Sequence, residues 1–194
     1  MPHPRIGYVG RIKGQLDMEL LYGLARRHPE WSFVMVGPLV SLHRHTRWVD
    51  GLNNQPNVHF LGSKPVDQLA AYNQHLDVCI MCYEISDYTN FIYPMKLHEY
   101  LATGRPVVAS PIRTLQDFGN VISLASGIDE WSAALKDALS PQANSLERVA
   151  GRRKVARAYD WDVLTQRVAM SFCEHLGPEY VNRLERGTRG DERA

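Results

Sequence analysis

Two short stretches of this sequence combine residue types able to hold an anion. The first is Gly10-Arg11-Ile12-Lys13-Gly14, where two glycines flank two cations between an apolar run and a helix-forming stretch. It is neither the G-x-G-x-x-G dinucleotide fingerprint nor a phosphate loop ending in Gly-Lys-Ser/Thr. It still offers pliable backbone, two positive charges and a nearby helix start, the parts of an anion site. A plain strand-to-helix turn with solvated cations uses the same residues. The second stretch is Tyr93-Pro94-Met95-Lys96-Leu97-His98-Glu99-Tyr100. Lys96 and Glu99 stand three apart and share one helical face. On a surface such a pair is worth well under about 1 kcal/mol. A binding role is more specific. Pro94 fixes the chain before the helix. N–H groups free at the helix start accept phosphate oxygens, and Lys96 adds a point charge. Glu99, one turn deeper, can accept two hydrogen bonds from a ribose cis-diol. Cations and backbone donors for a diphosphate, with a carboxylate for the sugar of a nucleoside, suit a nucleotide sugar.

The elements that must position these residues alternate between apolar runs and amphipathic stretches. Residues 5–10, 32–38, 57–62, 77–84, 105–111 and 120–125 read as six strands. Helices are predicted over 16–28, 66–74, 95–103, 128–139, about 144–158 and 162–176. In the first, Leu16, Leu20, Leu21, Leu24 and Ala25 lie on one face, and Pro29 stops it. Gly104 closes the helix over 95–103. Residues 84–94 read as a polar and aromatic loop, and a loop containing Asn53, Asn54 and Pro56 precedes the third strand. Strands that alternate with helices and are continuously apolar imply a doubly wound, Rossmann-like, six-stranded parallel sheet with C-terminal helices. Ligands of such folds bind beyond the carboxyl ends of the strands. That rule directs attention to residues 10–16, 37–46, 62–65 and 83–96. Residues 1–181 are expected to form the binding domain and 182–194, dense in Arg, Glu, Asp and Gly, a disordered tail.

Composition removes several alternatives. The chain has 194 residues, 44% apolar, with Lys+Arg 22 against Asp+Glu 21 and a net charge of +1. Global disorder needs low hydrophobicity and high charge, and nucleic-acid binders carry a basic excess; neither fits. There is no apolar run of about 18 residues to span a bilayer and no apolar stretch near Met1 for a signal peptide. The expected compartment is the cytoplasm. Cys79 and Cys82 form a C-x-x-C inside a β-like run, where residues three apart point to opposite faces. Buried small hydrophobes explain them better than a redox pair. His43 and His45 form an H-x-H with no further ligand close in sequence; surface histidines are expected, with no metal. Arg152, Arg153 and Lys154 read as a solvated helical face, with contact to anionic lipid as the other reading. Tyr83, Tyr88, Phe91 and Tyr93 either pack over the sheet edge or lie near a bound sugar.

The run Pro94-Met95-Lys96-Leu97-His98-Glu99-Tyr100-Leu101-Ala102-Thr103-Gly104-Arg105-Pro106-Val107-Val108 resembles the donor-binding signature of GT-B glycosyltransferases. It is most similar to the large retaining family that includes glycogen- and sucrose-synthase-like enzymes, often called group 1. Gly7-Tyr8-Val9-Gly10-Arg11, Asn57-Val58-His59-Phe60-Leu61-Gly62, Asp77-Val78 and Tyr159-Asp160-Trp161-Asp162 resemble further family segments in order, so the resemblance covers roughly residues 5–176. It implies one half of a GT-B fold, the half that binds a UDP- or GDP-linked sugar. Such enzymes transfer the sugar to an acceptor hydroxyl without a metal, because protein cations and helix amides stabilise the leaving diphosphate. The implied donor-binding residues are Gly10, Arg11, Lys13, Pro94, Lys96 and Glu99, with Arg11 at the diphosphate and Glu99 at the ribose. No catalytic residue and no cofactor is assigned. The acceptor-binding N-terminal domain is expected to be a separate partner, leaving this chain without transferase activity alone. A role in polysaccharide biosynthesis and a peripheral membrane location follow from the same resemblance. Two departures stand out. The family's first glutamate falls at Phe91, with Glu84 and Asp87 as upstream substitutes. The family's lysine falls at Leu16, leaving Lys13 or Lys96 to serve. The competing readings are a non-enzymatic module that binds a nucleotide or a partner, and half of a sugar-nucleotide 2-epimerase.

Overall fold

Apolar runs buried on both faces become parallel strands here, because helices cover each side of the sheet. The computed structural model describes residues 1–177 and Tyr180. In chain order the elements are β1 (Arg5–Val9), β2 (Ile12–Lys13), α1 (Met18–Arg27), β3 (Ser32–Val36), β4 (Leu39–Val40), α2 (Thr46–Asn53), β5 (Val58–Phe60) and α3 (Val66–Gln74). Next come β6 (Val78–Met81), α4 (Asp87–Asn90), α5 (Lys96–Thr103), β7 (Val107–Ala109), β8 (Ser123–Leu124), α6 (Gly127–Ala138), α7 (Leu146–Ala158) and α8 (Trp161–Leu176). The chain divides into two compact units, Met1–Arg153 and Lys154–Ala194, with the division falling inside α7. The tail expected over 182–194 lies outside the described residues.

The first unit holds a six-stranded sheet in the order β5-β3-β1-β6-β7-β8, every pairing parallel. This is the doubly wound arrangement expected from the alternating pattern. The order reverses between β1 and β6, which is where a crevice opens at the strands' carboxyl ends. Ile6, Phe33, Met35, Ile80 and Val108 are fully buried in the sheet, and Trp131 of α6 is 1% exposed against it. A second, two-stranded parallel sheet pairs Ile12 with Leu39 and Lys13 with Val40, tying the segment after β1 to the segment after β3.

Local chemistry explains most boundaries. Asp17 caps α1, its side chain accepting from the Leu20 N–H at 2.8 Å. Gly104 ends α5 in the left-handed region at φ 79, where an L side chain is strained. The strands are shorter than their apolar runs, since only the residues with a laddered neighbour count. Residues 46–53, inside the stretch expected to be loop, form α2, an eight-residue helix whose one buried residue is Leu52. Asp87–Asn90 and the 3-10 turn Arg113–Phe118 are also ordered where no element was expected. A capping box between Ser86 and Thr89 forms the first.

Candidate functional site

Three strands end on glycine at the carboxyl edge. The Gly10 N–H donates to the Val36 carbonyl at 2.8 Å, and the Gly37 N–H donates to the Gly62 carbonyl at 3.0 Å. Gly10 and Gly37 adopt φ 142 and φ 139, open to glycine and strained for other residues. Across the switch point, residues 15–17 lie along 82–84. The Glu84 N–H donates to the Gln15 carbonyl at 2.9 Å, the Asp17 N–H to the Cys82 carbonyl at 2.8 Å, and Leu16 bridges Tyr83. The Gly10–Gly14 loop is therefore held on both sides.

A charged clasp completes that hold. Arg44 donates from Nη2 to the Gly14 carbonyl and to Glu84 Oε2, the latter at 2.7 Å. His45 Nε2 lies 3.1 Å from the same carbonyl and 3.5 Å from Glu84 Oε1. Glu84 is thus occupied with Arg44 and His45, so it is not a free stand-in for the glutamate missing at Phe91. His45 is buried, not a surface histidine. Asp87 opens α4 behind the Ser86 cap.

Lys96 begins α5, and its ammonium reaches back over β1. Nζ donates to the Tyr8 hydroxyl at 2.6 Å and sits 4.3 Å from the centroid of the Tyr8 ring. Tyr8 in turn donates to the Arg11 carbonyl at 3.1 Å. A Cβ placed on Gly10 would lie 2.8 Å from Lys96 Nζ, so the glycine makes room for the cation. Burial pushes the Lys96 pKa down to about 8; the Glu99 charge opposes this and the Lys13 charge adds to it. Lys96 therefore feels the charges of both Glu99 and Lys13, although it forms no ion pair with Glu99 within 4 Å. The expected surface salt bridge is replaced by the bond to Tyr8. Burial also drives the Tyr8 and Tyr83 hydroxyls well above the usual phenol range.

The remaining expected residues fall as follows. Arg11 is exposed on the loop rim, Glu99 is exposed on α5, and Pro94 is buried at the helix entry. The Leu97 and His98 N–H groups already donate to the Pro94 and Met95 carbonyls at 3.0 and 3.1 Å. The row of free donors expected at this helix start is shortened to its first members, Met95 and Lys96. The start of α1 is closed to anions because the Asp17 carboxylate occupies it. The candidate parts for holding an anion at this edge are thus Gly10, Arg11, Lys13 and Lys96, without α1.

Tyr8 and Tyr100 were missed. The Tyr100 hydroxyl accepts from the Val9 N–H at 2.8 Å and donates to the Val9 carbonyl at 3.2 Å, pinning α5 to the end of β1. A tyrosine inside a buried strand must find a partner for its hydroxyl; that was the available signal. Of the aromatic loop only Tyr83 packs inside, at 4% exposed, while Tyr88 and Phe91 are 65% and 73% exposed. Phe91 carries the Arg113 guanidinium 5.8 Å from its ring centroid.

Outside the edge, Cys79 and Cys82 are free and buried, and burial pushes each thiol up to about 12. No group of three or more His, Cys, Asp and Glu gathers in a metal-holding arrangement among the described residues. No helix among them is long and apolar enough to cross a membrane. Arg152 does not belong to a solvated face. It is 5% exposed, and it donates to the Gly104 carbonyl at 2.9 Å and the Ala143 carbonyl at 2.7 Å. Arg153 donates to the Thr103 carbonyl at 3.1 Å. Both hold the C-terminal end of α5.

A doubly wound sheet with glycine-ended strands and a cation-rimmed carboxyl edge defines a Rossmann-like domain with a candidate ligand crevice. Residues 3–140, more than half of the chain, match the family model described as Glycosyl transferases group 1, and the chain belongs to that family. The TuaH protein of Bacillus subtilis (strain 168), whose name assigns it to teichuronic acid biosynthesis as a glycosyltransferase, is 29% identical over 167 residues. The match covers 84% of this chain and 41% of TuaH, so the chain spans about two fifths of that relative's length. Among solved structures, a glycosyltransferase from Rickettsia africae ESF-5 superposes with a TM-score of 0.66 at 14% identity, covering 89% of this chain and 48% of that one. The pneumococcal O-GlcNAc transferase GtfA, solved with UDP and GlcNAc, gives 0.55 at 16% identity, covering 80% and 32%. At such identities the likeness establishes the shared GT-B architecture.

Proposed function

We propose that this chain is the nucleotide-sugar-binding half of a retaining, metal-independent glycosyltransferase that acts in polysaccharide biosynthesis. The observation that carries this reading is the Lys96 ammonium. A cation at a helix N-terminus opposes the helix dipole, and this one is half-buried, lacks a carboxylate within ion-pairing distance among the described residues, and sits at the carboxyl edge beside Gly10. A bound diphosphate reverses each of these penalties. Its oxygens meet Lys96, with Lys13 and Arg11 on the facing loop and the first N–H groups of α5. Glu99 accepts from the ribose hydroxyls. These protein cations do what a metal does elsewhere: they neutralise charge developing on the leaving diphosphate.

The GtfA structure with UDP supports a uridine donor by family likeness, and a guanosine donor uses the same diphosphate contacts. The acceptor half is supplied by a partner domain, in keeping with the 41% span of TuaH; this chain alone has no transferase activity. Titration calorimetry with UDP- and GDP-linked sugars tests the assignment. Binding that is strongly weakened in Lys96→Ala and weakened in Glu99→Ala is expected. Unchanged affinity in both variants, or no binding by the intact chain, sinks it.

A further inference from the structure

The amino-terminal edge of the sheet carries a second cationic recess that the donor assignment does not use. Between the starts of β7 and β8 and the loop after α6 lies a cavity of about 400 Å³. Arg148 and Arg152 line it, together with Asn120, Ser123, Gln142 and Asp137. Arg152 is the unusual member. It is 5% exposed, and its bonds to the Gly104 and Ala143 carbonyls use Nε and Nη2. Its Nη1 has no hydrogen-bond partner among the described residues. No carboxylate lies within 4 Å of Arg148 or Arg152 among them. Buried charges ordinarily have a counter-charge; here burial, and after it the like charge of Arg148, depress the Arg152 pKa.

We propose that this recess binds a small phosphomonoester bearing hydroxyl groups. A planar guanidinium held by two carbonyls presents its outer edge in a fixed direction, the geometry that suits phosphate oxygens. Arg148, exposed on the first turn of α7, closes on the phosphate from the solvent side. Asp137 would repel a bare anion, but it accepts hydrogen bonds from hydroxyls, as the Asn120, Ser123 and Gln142 side chains also can. The recess thus separates a phosphate end from a polyol end. It lies at the opposite end of the strands from Lys96, so an occupant leaves the donor crevice open.

Calorimetry with glycerol 1-phosphate on the 194-residue chain carrying Lys96→Ala tests this, because that background removes the competing anion site. Saturable binding is expected, weakened about tenfold or more by Arg148→Gln, where one charge-assisted contact is lost. Arg152→Lys, checked for folding by denaturant titration, keeps the charge but loses the fork, and weakens binding similarly. Glycerol alone is expected not to bind. Affinity unchanged by Arg148→Gln overturns the site, as does binding that vanishes with Lys96→Ala alone. Inorganic phosphate binding as tightly as glycerol 1-phosphate overturns the phosphomonoester assignment.

Discussion

The two ends of α5 both carry cations, and they carry them for opposite reasons. At the C-terminus, Arg152 and Arg153 donate to the Gly104 and Thr103 carbonyls, so positive charge meets the negative end of the helix dipole. At the N-terminus, Lys96 meets the positive end, and its single hydrogen bond goes to a tyrosine hydroxyl. Burial depresses both pKa values. The arginine has two backbone carbonyl partners, whereas the lysine has a single hydroxyl. Three ammonium donors with one hydrogen bond made leave two for a ligand. A cation that helps hold a helix end should matter for stability, whereas one set against the dipole should matter for binding.

The sharpest way to break this comparison is to truncate each cation. Arg152→Ala leaves the Gly104 and Ala143 carbonyls without a donor, so unfolding free energy should fall by about 2–3 kcal/mol, with nucleotide-sugar affinity unchanged, as denaturant titration and calorimetry can read. Lys96→Ala should do the reverse, lowering affinity on the order of 10–100-fold while leaving stability level or higher. If both variants lose stability equally, the contrast fails. Glu99→Ala should weaken binding about tenfold with no change in melting temperature, since its carboxylate is exposed.

pH sharpens the same contrast. The Lys96 pKa is lowered to about 8, so the ammonium is charged below that value and begins to lose its proton above it. Anion binding favours the charged form. Affinity for a nucleotide sugar, whose uracil or guanine base keeps its proton below about pH 9, should therefore fall several-fold between about pH 7 and 8.5. Lys96→Arg should flatten the profile. The lowered pKa also means that the charged lysine costs stability below about pH 8, and that cost eases as pH rises towards the unfolded value. The smallest effect is expected for Tyr8→Phe, which removes the hydroxyl but keeps the ring beneath the ammonium. Affinity should change no more than a few-fold, with about 1 kcal/mol of stability lost from the Arg11 carbonyl contact.

Local patterns made the sheet and most helices legible. The helix over 66–74 was read to the residue, because Pro65 starts it and its length is set by the next apolar run. Gly104 was legible as a left-handed stop. Thr46–Asn53 was not, because it is only eight residues long and no side-chain cap marks its start. The site divides in the same way. The placement of Lys96 and Glu99 on one helix was legible from their three-residue spacing. The Tyr8 partner of Lys96 was not, since the two stand 88 residues apart in sequence. Likewise the Arg44–Glu84 pair bridges 40 residues, and Arg152 reaches 48 residues back to Gly104. Contacts of that reach depend on strand order, which a one-dimensional pattern implies only in outline.

The glycine floor of the crevice sets a boundary on how this protein can change. A methyl group at Gly37 would lie 2.0 Å from the Gly10 carbonyl oxygen, inside the backbone itself, where no rotamer can yield. The residues proposed for the rim, Arg11, Lys13 and Glu99, meet no such backbone limit, and in the proposed site donor affinity can be tuned through them. The floor cannot drift, although it supplies no charge and no side chain. Libraries aimed at new donors should therefore vary the rim and hold residue 37 constant, because the least chemically active position on this edge is the one with no permissible neighbour in sequence space.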